Sequence, residues 1–217
     1  MRRGLVSEVF VTEAAQARFA SLLNDVQVHV VTERAAKALS DTVTPVGLVA
    51  VCSVPETSLG DVLAASPRLL AVAAEISEPG NAGTLIRVAD AMGADAVVLA
   101  GHSVDPYIGK CLRASAGSIF SIPVVAEPDA AAAVSAISAA GLTVLATTVD
   151  GEISLDDADL AAPAAWLFGP EAHGLSSELA EMATHRVQIR MPGNAESLNV
   201  ASAAAICLYQ SSRALRV

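Results

Sequence analysis

Residues Glu78–Asp90 read EPGNAGTLIRVAD, directly after the apolar run LLAVAAEI at Leu69–Ile76. An apolar run that ends in a Gly-rich turn and then takes helical spacing begins a strand–loop–helix unit. Glycines at a helix start suggest a phosphate cradle. Here, however, the Lys of a P-loop is missing, and so is the three-glycine dinucleotide pattern. On a helix starting near Asn81, the residues Leu85, Ile86, Ala89 and Met92 make the buried side. Arg87 then shares a face with Gly83, Thr84, Asp90 and Ala91. Either Arg87 pairs with Asp90 on a solvated surface and Asn81 caps the helix, or both side chains face a ligand. The stretch alone leaves both open.

Outward from this unit the same alternation repeats. Strand-like runs include SEVFVT, VHVV, GLVAVC, AVVLAG, IPVVA, TVLATT, AWLFG and VQIRM. Between them lie Ala-rich helical stretches such as EAAQARFASLL and DAAAAVSAISAAG. This order predicts an α/β fold with a mostly parallel sheet flanked by helices. VPETSLGDVLAASP, Val54–Pro67, starts and ends with Pro. It is the expected boundary between a small α/β domain, residues 1–66, and a larger domain, residues 67–217.

Composition narrows the function classes. The chain has 217 residues, 53% hydrophobic and 17% charged, as expected of a globular protein. No apolar run reaches the ~18 residues of a membrane span, and MRRGLVSEVF lacks a signal-peptide core. No membrane partner and a cytoplasmic location are expected. Cys52, Cys111 and Cys207 are far apart, with no CxxC, and read as reduced thiols without a metal. The net charge of −10 speaks against a nucleic-acid partner, but its distribution weakens that objection. Ten acids and no Lys or Arg lie between Ala114 and His185, whereas the rest holds thirteen of each sign. Arg87, Lys110 and Arg113 remain able to meet phosphate. Seven aromatics (four Phe, two Tyr, one Trp) are too few for an aromatic stacking platform.

Ligands of open α/β sheets bind beyond the carboxyl ends of the strands. Three such ends carry loops dense in Gly and functional side chains: Glu78–Arg87, Trp166–Leu179 (WLFGPEAHGLSSEL) and Gln188–Ala205 (QIRMPGNAESLNVASAAA). In the second, Glu171 can orient an Arg or a ribose hydroxyl, or simply favour the dipole of the following helix. His173 reads as a solvated loop histidine, with a general base as the sharper alternative. In the third, Ser197 reads as a helix cap or a site residue. Asn199 is unfavourable inside a helix without a partner. The small residues from Ala201 to Ala205 suit close packing against another surface.

Together the loops resemble the three motifs of the SpoU family, the trefoil-knot RNA 2′-O-ribose methyltransferases. NAGTLIRVADAMGADAVVL is similar to the first, with Asn81, Gly83 and Arg87 in place. LFGPEAHGLS is similar to the second through Gly169, Glu171 and Gly174, and IRMPGNAESLNVASAAA to the third through Ser197, Leu198, Asn199 and Ala201. KCLRASAGSIFSIPVV, Lys110–Val125, resembles the segment that links motifs one and two. Order and spacing agree from Arg68 to Gln210.

The resemblance implies a deep C-terminal trefoil knot, an exception to the unknotted rule. It implies S-adenosylmethionine as the cofactor, bound by Thr147, Gly169, Ile189, Met191 and Leu198. The implied catalytic set is Arg87, Asn81, Glu171, Ser197 and Asn199. Arg87 acts near the reacting hydroxyl, as an electrostatic helper rather than a base because guanidinium stays protonated. Glu171 holds Arg87 or its counterpart in a second copy, Asn81 fixes the ribose or Arg87, and Ser197 and Asn199 shape the site. Partners are then structured RNA, ribosomal in preference to transfer RNA, and a second copy of the chain, with no role for DNA. A non-catalytic RNA-binding relative is the alternative. SEVFVTEAAQARF and ERAAKALSDTVTPVGLVAV resemble the family's ribosomal-protein-like RNA-binding domain, which is expected to be shortened at its front.

Overall fold

The computed structural model describes residues 4–215. They form two compact units that part at Pro55–Glu56.

The smaller unit comprises β1 (Val6–Val11), α1 (Glu13–Arg18), β2 (Gln27–Val30), α2 (Glu33–Ala38) and β3 (Leu48–Cys52). Its sheet has the order β2-β1-β3, with β2 parallel and β3 antiparallel to β1. Both helices start at a Thr whose hydroxyl accepts a backbone N–H: Thr12 from Ala15 at 3.3 Å and Thr32 from Ala35 at 3.2 Å. Val9, Val11 and Ala15 are its fully buried centre.

The larger unit begins with α3 (Leu59–Ala64). The Pro-flanked segment is therefore not a linker as far as Pro67: Leu59 and Val62 are buried in the core of the larger unit. Ser58 and Asp61 close a capping box that starts this helix. There follow β4 (Leu69–Ala74), α4 (Pro79–Met92), β5 (Ala96–Ala100), α5 (Gly109–Ala114), β6 (Val124–Glu127), α6 (Ala130–Ala139), β7 (Thr143–Thr147), β8 (Ile153–Ser154), β9 (Ala164–Phe168), α7 (Ser177–Glu181), β10 (His185–Gln188) and α8 (Val200–Ala214). Seven strands pair in the order β6-β5-β4-β9-β7-β10-β8, every pair parallel. Every residue of β4, β5 and β9 is buried, as expected of central strands covered on both faces.

Two features of this sheet position the site. The first is α4, which starts at Pro79 rather than near Asn81. Pro fits the first helical position, and Glu78 precedes it as the cap, accepting Gly80 N–H at 3.1 Å. Asn81 is thereby freed from capping. The second is β10, which lies between β7 and β8, so the loop joining those two strands must span it. Gly151 in that loop rests on β10: a Cβ there would lie 2.6 Å from Gln188 N and 2.9 Å from Arg186 O. The knot expected from the resemblance would be built on this crossing.

Candidate active site

The three polar loops meet at the carboxyl end of the sheet. Asn81 from α4 donates its amide to Glu171 Oε2 at 3.0 Å. Asn199 donates to Asn81 Oδ1 at 3.0 Å and also to Glu171 Oε1. The side-chain Oδ1 of Asn199 caps α8, accepting Ala201 N–H at 3.0 Å and Ser202 N–H at 3.3 Å. The network is self-consistent. A carboxylate can only accept, which fixes the Asn81 amide nitrogen towards it and leaves Oδ1 for Asn199. A single carboxylate therefore ties together residues 90 and 28 positions away in sequence.

Glycines let the loop that carries Glu171 fold so tightly. Gly169 lies against the returning chain: a Cβ would come 2.4 Å from Leu175 N and 2.5 Å from the Gly174 carbonyl carbon. Gly174 has φ 68° and donates its N–H to Pro170 O at 2.9 Å. Gly83 has a different duty from the one expected. It is buried, and a Cβ would lie 2.4 Å from Cys111 O and 2.6 Å from Ala114 Cβ. It seats α5 on α4 and does not share an open face with Arg87.

Behind this network lies a cavity of about 610 Å³, within the usual size range of small-molecule sites. All five residues expected to bind the cofactor, Thr147, Gly169, Ile189, Met191 and Leu198, line it, as do Glu171 and Ser197. Its charged lining is mainly acidic: Asp150, Glu171, Glu181 and Glu196 face one arginine. That residue, Arg186, is already neutralised, with Nε donating to Glu152 Oε2 at 2.9 Å and Nη1 lying 4.0 Å from Asp150. The Arg186 backbone N–H on the Glu152 carboxylate, reinforced by this side chain, holds Glu152 below its ordinary range. An acidic lining with no unpaired arginine suits a ligand with a cationic end. A second cavity, of about 550 Å³, lies against the same Pro170–Leu175 loop and is lined by Asn81 as well as Glu171.

Several residues depart from expectation. Asn199, not Ser197, caps α8, and Ser197 is exposed at the first cavity. Arg87 makes no ion pair among the described residues, neither with Asp90 nor with Glu171. The helix explains why. Six residues separate it from Asn81, which amounts to ~9 Å along the axis and about a third of a turn around it. Thr147 has its hydroxyl committed, donating to Leu167 O at 3.1 Å. The adjacent Thr148 also lines the cavity, and its buried hydroxyl has no partner among the described residues. Sequence reasoning missed Thr148. The run LATT marks both threonines, and only tertiary contacts separate the engaged hydroxyl from the orphan. The size, the acidic lining and the orphan hydroxyl all fit S-adenosylmethionine, with its sulfonium, ammonium and hydrogen-bonding adenosine.

The chain is similar to several known proteins. Residues 68–209 match the sequence profile of the SpoU rRNA Methylase family. Over 206 residues the chain is 35% identical to the 23S rRNA (guanosine(2553)-2′-O)-methyltransferase RlmP of Bacillus subtilis, covering 95% of this chain and 80% of that protein. The 23S rRNA (uridine(2479)-2′-O)-methyltransferase of Streptomyces viridochromogenes is 39% identical over 142 residues, 63% of this chain and half of that protein's length. Among solved structures, the AdoMet-bound rRNA methyltransferase from Sinorhizobium meliloti superposes with a TM-score of 0.85 at 28% identity, covering 97% of this chain and 81% of that one.

Proposed function

Since the chain belongs to the SpoU rRNA methylase family, we propose that it methylates a ribose 2′-hydroxyl of ribosomal RNA, using S-adenosylmethionine. The observation that carries this reading is the Asn81–Glu171–Asn199 network, set at a cavity lined by all five expected cofactor residues. The cofactor supplies a methyl carbon already activated on a sulfonium, from which the ribose oxygen displaces a neutral thioether. What remains for the protein is alignment and charge, and alignment can lower such a barrier by up to ~7–11 kcal/mol.

Thr148 and the backbone at Gly169 would hydrogen-bond the cofactor, while Ile189, Met191 and Leu198 would supply apolar walls. Asn81 and Asn199 fix Glu171, so its carboxylate keeps one position on the lining of the cavity. Ser197 shapes the edge nearest the ribose. Arg87 steadies the hydroxyl as it loses its proton to solvent, or the neighbouring phosphate. Guanidinium stays charged at neutral pH, so it stabilises charge rather than taking the proton. Arg87 projects away from the network of its own chain, so the one that serves this site comes from a second copy in a homodimer. The exposed Ile206 and Tyr209 on α8, 37% and 53% accessible, offer apolar surface for that contact. The small unit, with no net charge of its own, guides RNA to the site. A cytoplasmic location goes with such a substrate, and among the described residues no helix is long and apolar enough to cross a membrane.

The test is calorimetric titration with S-adenosylmethionine, followed by transfer of labelled methyl to unmodified ribosomal and transfer RNA. Binding with label on ribosomal RNA alone is expected. Label confined to transfer RNA would overturn the substrate, and binding without label on either RNA would leave a non-catalytic RNA binder.

A further inference from the structure

We propose that Glu152 is a positioning residue for the methyl donor: it anchors the β7–β8 loop on β10 and masks the charge of Arg186, so that the first cavity turns an acidic face to a cationic ligand. The inference rests on the methyl-transfer reading above. Glu152 lies outside the cavity lining, whereas Thr148 and Asp150 of its loop, and Arg186 of β10, lie on it. Three contacts hold that loop. The Thr148 N–H reaches Val187 O at 3.1 Å. Gly151 presses on β10, where a Cβ would stand 2.6 Å from Gln188 N, so no side chain can brace the crossing at that point. The third contact is Glu152 itself. Pairing of β10 with β8 begins at Val187 and Ile153. One residue earlier, the Arg186 N–H is taken by Glu152 Oε1 at 2.9 Å. The carboxylate stands where a strand carbonyl would continue the ladder, and the chain is free to turn away over β10. The stretch held in this way carries the orphan hydroxyl of Thr148.

The second oxygen of the same carboxylate handles charge. Glu152 Oε2 accepts Arg186 Nε at 2.9 Å. Guanidinium does not give up its proton, so the charge of Arg186 is either paired or presented to whatever fills the cavity. Asp150, at 4.0 Å, is too distant to pair it alone. Glu152 is held below its ordinary range, first by the Arg186 backbone N–H, and so stays ionised at neutral pH. The ligand makes this masking matter. S-adenosylmethionine carries a sulfonium and an ammonium against a single carboxylate, and is a net cation. S-adenosylhomocysteine, the product that has lost the methyl, has a neutral thioether and no net charge. An unmasked Arg186 therefore penalises the donor more than the product. The pair Arg190–Asp157, 3.5 Å apart, offers a contrast, since neither residue lies on the lining.

Calorimetric titration of the full chain with S-adenosylmethionine and with S-adenosylhomocysteine, at pH 8 and low salt, tests this through the ratio of the two dissociation constants. Glu152→Gln keeps an oxygen for the Arg186 N–H but removes the charge. It should weaken the donor about tenfold and the product about threefold, a shift of about threefold in the ratio. Arg186→Gln should shift the ratio by about as much in the opposite direction, and the double variant should restore the wild-type ratio. In about 1 M salt the shifts should disappear. Asp157→Asn should leave the ratio unchanged. Equal weakening of both ligands by Glu152→Gln would reduce Glu152 to a structural brace and overturn the proposal. An unchanged ratio in Arg186→Gln, or an equal shift from Asp157→Asn, would overturn it as well. If Glu152→Gln fails to fold, Arg186→Gln decides alone. A wild-type chain that binds neither ligand would refute the methyl-transfer reading and this inference with it. A chain that binds both, with a ratio indifferent to these variants, would refute this inference alone.

Discussion

Thr148→Val should move stability and cofactor affinity in opposite directions. In the free protein the Thr148 hydroxyl is buried with no partner among the described residues, which costs ~1–3 kcal/mol. Val has the same shape with a methyl in place of the hydroxyl, so the free variant should gain ~1–2 kcal/mol. In a domain of this size each kcal/mol raises Tm by ~2–4 °C, so an increase of about 4 °C is expected by calorimetry. If the cofactor is the missing partner, the variant loses one hydrogen bond on binding, worth ~1 kcal/mol. The dissociation constant for S-adenosylmethionine should then rise about fivefold. Thr147→Val supplies the contrast. It removes the bond to Leu167 O, so it should lower Tm by a few degrees and leave affinity nearly unchanged. Raised Tm with unchanged affinity would refute Thr148 as a cofactor contact. A lowered Tm would mean that the hydroxyl is satisfied in the free protein, and the reasoning would fail at its first step.

Other perturbations address the remaining parts. Gly83→Val forces a side chain into the Cys111 carbonyl and Ala114 and should destabilise by ~3 kcal/mol or more, read as a lower midpoint in urea. Glu171→Ala leaves the Asn81 and Asn199 amides without their acceptor, and should cut methyl transfer at least tenfold while Tm falls only slightly, because Glu171 and Asn199 are exposed and Asn81 is only half-buried. In a thiol titration at pH 8, exposed Cys52 should react, while Cys111 and Cys207 should do so only after denaturation. Burial raises the Cys111 thiol to about 11 and Cys207 further. Both pKa values are raised, so the neutral thiols favour the folded state. That stability is complete below the unfolded value near 9.0 and should fall as pH rises from there towards 11, as urea midpoints would show.

Much of this arrangement was legible in the sequence because it is local. Apolar runs such as LLAVAA and AAWLF mark strands buried on both faces, and helical spacing marks Leu85, Ile86 and Ala89 as the inner side of α4. Both follow from period alone. The two-residue β8 was not legible, since two residues carry no period. The start of α4 was misread because Asn is a good cap, yet Glu78 with Pro79 outcompetes it. The motifs marked the candidate residues, but not their connections. That Glu171 holds two asparagines rather than Arg87, and that Thr148 rather than Thr147 has a free hydroxyl, depends on contacts between residues 20 to 118 positions apart. No local pattern encodes them.

The central claim is ribose methylation that depends on Arg87. Ribosomal RNA labelled by the wild-type chain and by Arg87→Ala should be hydrolysed in alkali and its products separated. A 2′-O-methyl group blocks cleavage of the adjacent phosphodiester, so the account predicts label in a single alkali-stable dinucleotide. It also predicts that Arg87→Ala binds S-adenosylmethionine normally and gives no such product. Label released as a mononucleotide would mean methylation of a base, and an active Arg87→Ala would remove that side chain from the mechanism. Either result would contradict the account.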